Sequence, residues 1–308
     1  TPQGKQTEDC EGSMFLSQPL LWQNGPMRIG AWKLSSIETG WFALDGGAMF
    51  GVVPRTLWER HIPADERSRI GLALRAMLIE EVDGPRKILV DTGIGQKWDP
   101  KGADIFGVDH DNYELHQSLA ERGLQSSDIT DVLLTHLHFD HAGGATMRDG
   151  NKIVPTFENA TYYVQKDNLA WAQAPTEKDR ASYLTENFEP LLREGVLELL
   201  DGPGEWLPGI ELLISNGHTQ AMQLPHVHGP EGHVAYCADM IPTSVHIPAP
   251  WVMSYDNFPL TTIEEKKQVL ARAVDEDWIL FFEHDPFGPA ARVVAGARGF
   301  KAGARETF

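Results

Sequence analysis

The sequence predicts an α/β fold, and three observations carry that expectation. Short apolar runs of strand length alternate with helix-like segments along most of the 308 residues. Several of those runs end in a histidine or an aspartate. No internal repeat and no low-complexity tract interrupts the alternation, which disfavours a solenoid or an array.

Residues 27–44 carry β-branched and aromatic stretches broken at Gly30, Gly40 and Gly46-Gly47, a hairpin pattern. Two apolar runs, 76–82 and 87–90, flank Asp83-Gly84-Pro85, a turn signal between strands. Asp111-x-x-Glu114 forms a capping-box pattern ahead of Leu115 and Leu119, which share a helical face, and Gly123 stands where a glycine stops a helix. Thr262-x-x-Glu265 predicts the start of a second helix. Its Ile263, Leu270 and Val274 fall at helical spacing, and its Glu and Lys residues are expected on a solvated face. Buried strands are expected at 132–135, 161–164, 211–214, 234–237 and 278–282. The expected division is an N-terminal extension over 1–26 followed by a single domain over 27–308.

Composition bounds the function. A formal charge of −18, from 44 acidic against 26 basic residues, argues against nucleic acid and against anionic membrane surfaces, because affinity for a polyanion rests on Lys and Arg. The hydrophobic share of 42% is enough for a sizeable core. No apolar run reaches the length of a membrane-spanning helix. Cys10 and Cys237 have no framework spacing, so neither a disulfide scaffold nor a cysteine-rich zinc module is indicated, and Cys237 is expected to be a buried structural cysteine. The N-terminal segment lacks a basic-then-apolar leader pattern, which favours a cytoplasmic location, while the start at Thr1 leaves open a leader already removed.

The sharpest feature is Thr135-His136-Leu137-His138-Phe139-Asp140-His141-Ala142-Gly143-Gly144, directly after the apolar run 132–134. Side chains two apart in extended backbone project to one side, so His136 and His138 can address one ion. The turn after Phe139 redirects Asp140 and His141 towards a second. Further ligands are expected just past other strands: His218 after Ser215-Asn216-Gly217, Asp239 after 234–237 and His284 after 278–282. His226-Val227-His228 imitates a metal pair, but it follows Pro225 without a strand end and is set aside as a catalytic site.

Through His136-x-His138-x-Asp140-His141, Gly217-His218-Thr219, Asp239 and His284, the chain resembles the metallo-β-lactamase-superfamily hydrolases from about Met27 to Arg292. The resemblance implies an αββα sandwich, two mixed β-sheets flanked by helices, with two divalent metal ions at one edge. Zinc is the first expectation, and iron, manganese or cobalt are alternatives. It implies one ion held by His136, His138 and His218, a second by Asp140, His141 and His284, and Asp239 bridging them. Asp91, in Leu89-Val90-Asp91-Thr92-Gly93, matches an aspartate that orients a ligand histidine or the site loop. Asp140 and Asp239 are the implied catalytic carboxylates, with Asp239 accepting the proton. Such an ion pair supplies hydroxide at neutral pH, because zinc lowers the pKa of bound water to about 7.

Asp239 stands where many true β-lactamases of this fold carry a cysteine, which points away from antibiotic degradation. The quorum-quenching lactonase and methyl-parathion-hydrolase-like branches remain. The expected activity is opening of an acyl-homoserine-lactone-like lactone or a related ester. A phosphotriesterase or arylesterase is the alternative, and an iron-dependent persulfide dioxygenase is the alternative of another class. Lactonases usually carry a tyrosine three residues after the bridging aspartate, where this chain has Pro242, so Tyr255 or His246 is expected to supply the donor. Met49, Phe50, Phe106, Phe139, Met222, Trp251 and Met253 are expected to complete a pocket for a neutral small molecule with an apolar arm. A homodimer is compatible with these expectations.

Overall fold

A computed structural model describes residues 25–111 and 114–308. Cys10 and nearly all of the N-terminal extension lie outside the described residues. The first half runs β1 (Met27–Ile29), β2 (Trp32–Asp45), α1 (Gly46–Phe50), α2 (Arg55–Trp58), β3 (Arg69–Glu81), β4 (Lys87–Val90), α3 (Pro100–Phe106), α4 (Leu115–Glu121) and β5 (Asp131–Leu133). Next come α5 (Phe139–Ala142), β6 (Thr146–Asp149), β7 (Lys152–Pro155), β8 (Thr161–Gln165), α6 (Lys166–Gln173), α7 (Glu189–Arg193) and β9 (Leu197–Leu200). The second half runs β10 (Gly204–Leu207), β11 (Ile210–Ser215), β12 (Met222–Gly229), β13 (Gly232–Tyr236), α8 (Pro259–Asp275), β14 (Ile279–Phe281), β15 (Ala290–Gly296) and β16 (Gly299–Glu306).

Two seven-stranded sheets result. The first has the order β1-β2-β3-β4-β5-β8-β9 and is antiparallel as far as β4, then parallel through β9. The second keeps sequence order from β10 to β16, with β13 and β14 its one parallel pair. β6 and β7 form a separate hairpin. These mixed sheets and their flanking helices are the sandwich that the resemblance implies.

Alternation along the strands explains the layers. Met77, Ile79, Ile88, Val90 and Leu133 point to the core shared with the second sheet, where Met222, Leu224, Val234 and Tyr236 join them. Their neighbours Ala76, Leu78, Leu89, Val132 and Leu134 point the other way and are covered by Leu119 of α4, Leu169 of α6 and Leu191 of α7. Strands buried on both faces need apolar residues at every position, which is why these runs show no polar alternation. Leu270 and Ala273 of α8 cover the second sheet from outside. Cys237 is a free thiol within that core, in keeping with a structural role.

Four local expectations are corrected. Gly40 does not end a hairpin; β2 continues through it for 14 residues, and the register against β3 shifts between Glu38 and Gly40, a bulge. The helix after Asp111 is capped by Glu114 itself, whose carboxylate accepts from the backbone N–H groups of His116 and Gln117. The α8 helix begins at Pro259, so Thr262 is buried inside it rather than capping it. Glu265 accepts instead from the Ser215 hydroxyl and from the N–H groups of Asn216 and Gly217, fastening the loop that carries His218. Lys266 is not on a solvated face. It is fully buried and donates to the carbonyls of His246, Pro248 and Trp251.

Candidate metal centre

The centre lies where strand ends from both sheets meet. β5 delivers Thr135 to His138, α5 carries Asp140 and His141, the β11–β12 loop carries His218, the turn after β13 carries Asp239, and His284 follows β14. Gly143 and Gly144 make the approach possible. A Cβ on Gly143 would stand 2.1 Å from the Ile94 carbonyl oxygen and one on Gly144 2.2 Å from that of Thr92, so only glycine lets the loop after β4 close against α5.

His136, His138, His218 and Asp239 form one group of converging ligand atoms, and Asp140, His141, Asp239 and His284 form a second. Asp239 belongs to both. In the first group, Nδ1 of His138 is 3.1 Å from Nε2 of His136 and 3.0 Å from Nε2 of His218. Oδ2 of Asp239 is 3.1 Å from Nε2 of His218. In the second, Nε2 of His141 and Nε2 of His284 are 3.3 Å apart, and both approach Oδ1 of Asp239, at 3.4 and 3.3 Å. Oδ2 of Asp140 is 3.7 Å from Nε2 of His284.

Buried lone pairs facing one another at these distances fit a cation. Tetrahedral nitrogen ligands about 2.0–2.1 Å from zinc stand roughly 3.3 Å apart, close to the spacings found. Oδ1 of Asp239 is buried without a hydrogen-bond partner, a costly arrangement that a bound cation relieves.

The outward nitrogens are fixed by hydrogen bonds. Nδ1 of His284 lies 3.0 Å from the Ala73 carbonyl, Nδ1 of His218 3.0 Å from Asp256, and Nδ1 of His141 3.0 Å from Asp91 and 2.8 Å from Glu283. Each leaves Nε2 turned inward as the acceptor. Asp91 also accepts from the backbone N–H and the hydroxyl of Thr135, both at 2.7 Å, so it links the two halves of the motif. It does so at φ +58°, a left-handed conformation that a short Asp side chain tolerates. Glu283, which also accepts from Tyr236, is raised to about 7 by burial and by nearby Asp91.

The charges sort the ligands. Burial, reinforced by neighbouring rings, pushes His136 and His138 well below the usual histidine range and leaves them neutral. Burial opposes charge on His141 too, but Glu283, Asp239 and Asp140 outweigh it and lift that histidine. The Asp239 carboxyl, despite burial, is held well below its usual range by His141 and His218. The site is therefore a compact, buried set of alternating anions and imidazoles.

Around it, Met49, Phe50, Phe106, Phe139, Trp251, Met253 and Tyr255 gather in one aromatic and aliphatic cluster with Trp98 and Leu184. Phe139 packs on Trp98 at 5.2 Å and on Phe106 at 4.9 Å. Three pocket expectations need correction. Met222 is fully buried between the sheets, because its strand turns it inward. His246 is buried, with Nδ1 2.8 Å from the Thr243 hydroxyl and Nε2 2.8 Å from the Met49 carbonyl, so neither nitrogen is left for a substrate. Phe50 is fully buried against His246, Trp58 and Trp251 and supports the rim from beneath.

Asp256 and Glu283 escaped the sequence reading, as did the hydrogen bonds of Thr135 to Asp91. Glu283 adjoins His284 past the same strand and carried the same signal, whereas Asp256 sits in a loop with no strand before it. His226 faces Glu211, His233 and Trp278 and adds nothing to the two groups.

This fold and this donor set define a superfamily of metal-dependent enzymes. The chain belongs to the metallo-beta-lactamase superfamily, whose family model matches residues 74–284. Among curated relatives, an N-acyl homoserine lactonase from Bacillus cereus is 27% identical over 233 residues, covering 70% of this chain and 82% of the relative. The solved structure of a probable metal-dependent hydrolase from Staphylococcus aureus superposes with a TM-score of 0.80 at 32% identity, over 86% of this chain and 94% of that one. AidC, a dizinc quorum-quenching lactonase solved with the product N-hexanoyl-L-homoserine, superposes with a TM-score of 0.74 at 21% identity, over 92% and 97%. Among the described residues, no helix is long and apolar enough to cross a membrane.

Proposed function

We propose that this chain is a dinuclear metal-dependent hydrolase that opens a lactone or a closely related ester. The observation that carries the reading is Asp239, which joins both donor groups and presents a different oxygen to each. Imidazole and carboxylate donors suit zinc, and His136, His138 and His218 would hold one ion while Asp140, His141 and His284 hold the other. Bound there, two divalent ions supply Lewis acidity towards an ester oxygen and acidify water.

The remaining steps belong to protein groups. Asp239, kept ionised by His141 and His218, is the base within reach of a proton released between the two groups. Tyr255 is the donor in place of the absent tyrosine at position 242. Burial, with Asp45 and Asp140 nearby, pushes its hydroxyl up to about 12, so it stays protonated at pH 7 and can hydrogen-bond a developing oxyanion. The aromatic cluster excludes water around an apolar arm. The lactonase named among the curated relatives supports the choice of substrate class.

A rate panel on metal-loaded protein tests this reading, comparing an N-acyl homoserine lactone, an aryl ester and paraoxon beside metal analysis. The expected result is about two ions per chain and a kcat/KM for the lactone at least tenfold above the others. A preference for paraoxon would move the chain to the phosphotriesterase branch, and one iron with oxygen consumption would end the hydrolase reading.

A further inference from the structure

A cavity of about 430 Å³ lies beside the centre, between α3 and residues 184–187. Two of its walls are shared with the centre. Trp98 lines it and packs on Phe139, which stands between His138 and Asp140. Leu184 lines it and directly follows Tyr183, whose ring lies 4.6 Å from that of His138. The cavity therefore adjoins the centre, separated from it only by side chains that touch both.

The lining carries more basic than acidic residues. In a chain carrying −18, the cavity gathers Lys97, Lys101 and Arg148 against Asp99 and Glu186. The Asp99 carboxylate is turned to the Gly102 N–H at the start of α3, and Glu186 lies 3.7 Å from Arg148. Lys97 donates to the carbonyls of Gly143 and Thr146, which leaves one of its three N–H groups. Asn187 lines the same cavity, is 1% exposed, and has no hydrogen-bond partner at either Oδ1 or Nδ2. A buried amide left unpaired at both ends is costly, and a ligand with a polar terminus would relieve it.

We infer that this cavity is a substrate subsite that receives the far end of the arm, and that this end carries a carboxylate. Trp98, Ile105 and Leu184 contact the methylene chain, the cations neutralise the carboxylate, and Asn187 donates to it. The inference rests on the hydrolase reading and revises the expectation of a wholly neutral substrate: the reacting end is neutral and the distal end is anionic.

Two measurements test it independently. The first compares kcat/KM for N-hexanoyl homoserine lactone with that for the same lactone bearing a carboxylate at the end of the six-carbon acyl chain, in wild type and in the Lys101→Glu/Arg148→Glu double variant. Both side chains are exposed, so the variant folds. The carboxylated lactone is expected to be favoured about tenfold in wild type, and the ratio of the two kcat/KM values to fall to about one in the variant. The second is calorimetric titration of metal-loaded protein with adipate and with hexanoate, which reads the subsite without turnover. Adipate is expected to bind about tenfold more tightly, and the charge reversal to bring the two to parity. Equal affinities in wild type, or a selectivity that the reversal leaves in place, overturn the subsite whatever the rates show. Selective adipate binding without turnover of any lactone or ester upholds the subsite and overturns the hydrolase reading.

Discussion

Oδ2 of Asp239 lies 3.1 Å from Nε2 of His218, while its other oxygen is buried with no hydrogen-bond partner. A carboxylate so divided couples two donor groups, and its loss should affect both. Asp239→Ala is expected to lower bound metal from about two ions per chain to one or fewer, and to reduce kcat by at least about 100-fold. Elemental analysis beside turnover checks it. Two ions retained with full activity would remove Asp239 from the centre.

Asp91 reaches the centre only through others, fixing His141 and Thr135. Asp91→Asn suits the left-handed backbone there but replaces one accepting oxygen with a donor. Metal affinity should fall about 10–100-fold, and the metal-saturated protein should also unfold at a lower temperature, because the new amide N–H groups face buried donors. Competition with a chromophoric chelator measures the first quantity.

His246 gives a pH dependence with a definite sign. Burial pulls its pKa to about 3, so the folded protein leaves it neutral while the unfolded chain takes up a proton near 6.5. The unfolded state therefore binds more protons between about pH 6.5 and pH 3, and stability is lost as pH falls through that window. Between pH 7 and pH 5 the loss from this one group is about 2 kcal/mol. In His246→Gln, urea unfolding at the two pH values should show a difference smaller than wild type by that amount. An unchanged difference would mean that the imidazole titrates normally.

Lys266 holds three carbonyls of the segment that carries Trp251. Lys266→Met keeps the aliphatic stem but strands those acceptors, and should cost about 2–4 kcal/mol. Chemical denaturation at neutral pH reads it directly. A midpoint equal to wild type would show that the carbonyls find other partners.

The two converging donor groups were legible in the sequence because each candidate ligand depends on local pattern. His136 and His138 follow from two-residue alternation past an apolar run, and His218, Asp239 and His284 each stand a few residues beyond a strand. Lys266 was misjudged for the opposite reason. Helical spacing shows which face of α8 meets the sheet, but nothing local records that residues 246–251 fold over the other side. Glu265 has the spacing of a cap, yet its carboxylate is taken by N–H groups about 50 residues away in sequence. Met222 and His246 look like rim residues in a linear reading, and only the pairing of β12 and the stacking on Phe50 turn them inward.

The division of ligands between the sheets has a consequence for assembly. The stretch 136–141 emerges from the first sheet, whereas His218, Asp239 and His284 belong to the second. An ion held by both sets would act as a rivet through the sandwich, closing chain loops that neither sheet closes by itself. The first sheet can be complete while the centre is still half-made, so metal capture would come late in folding and report that the two halves have met in register. Slow chelation would then measure the separation of those halves as well as the affinity of the donors.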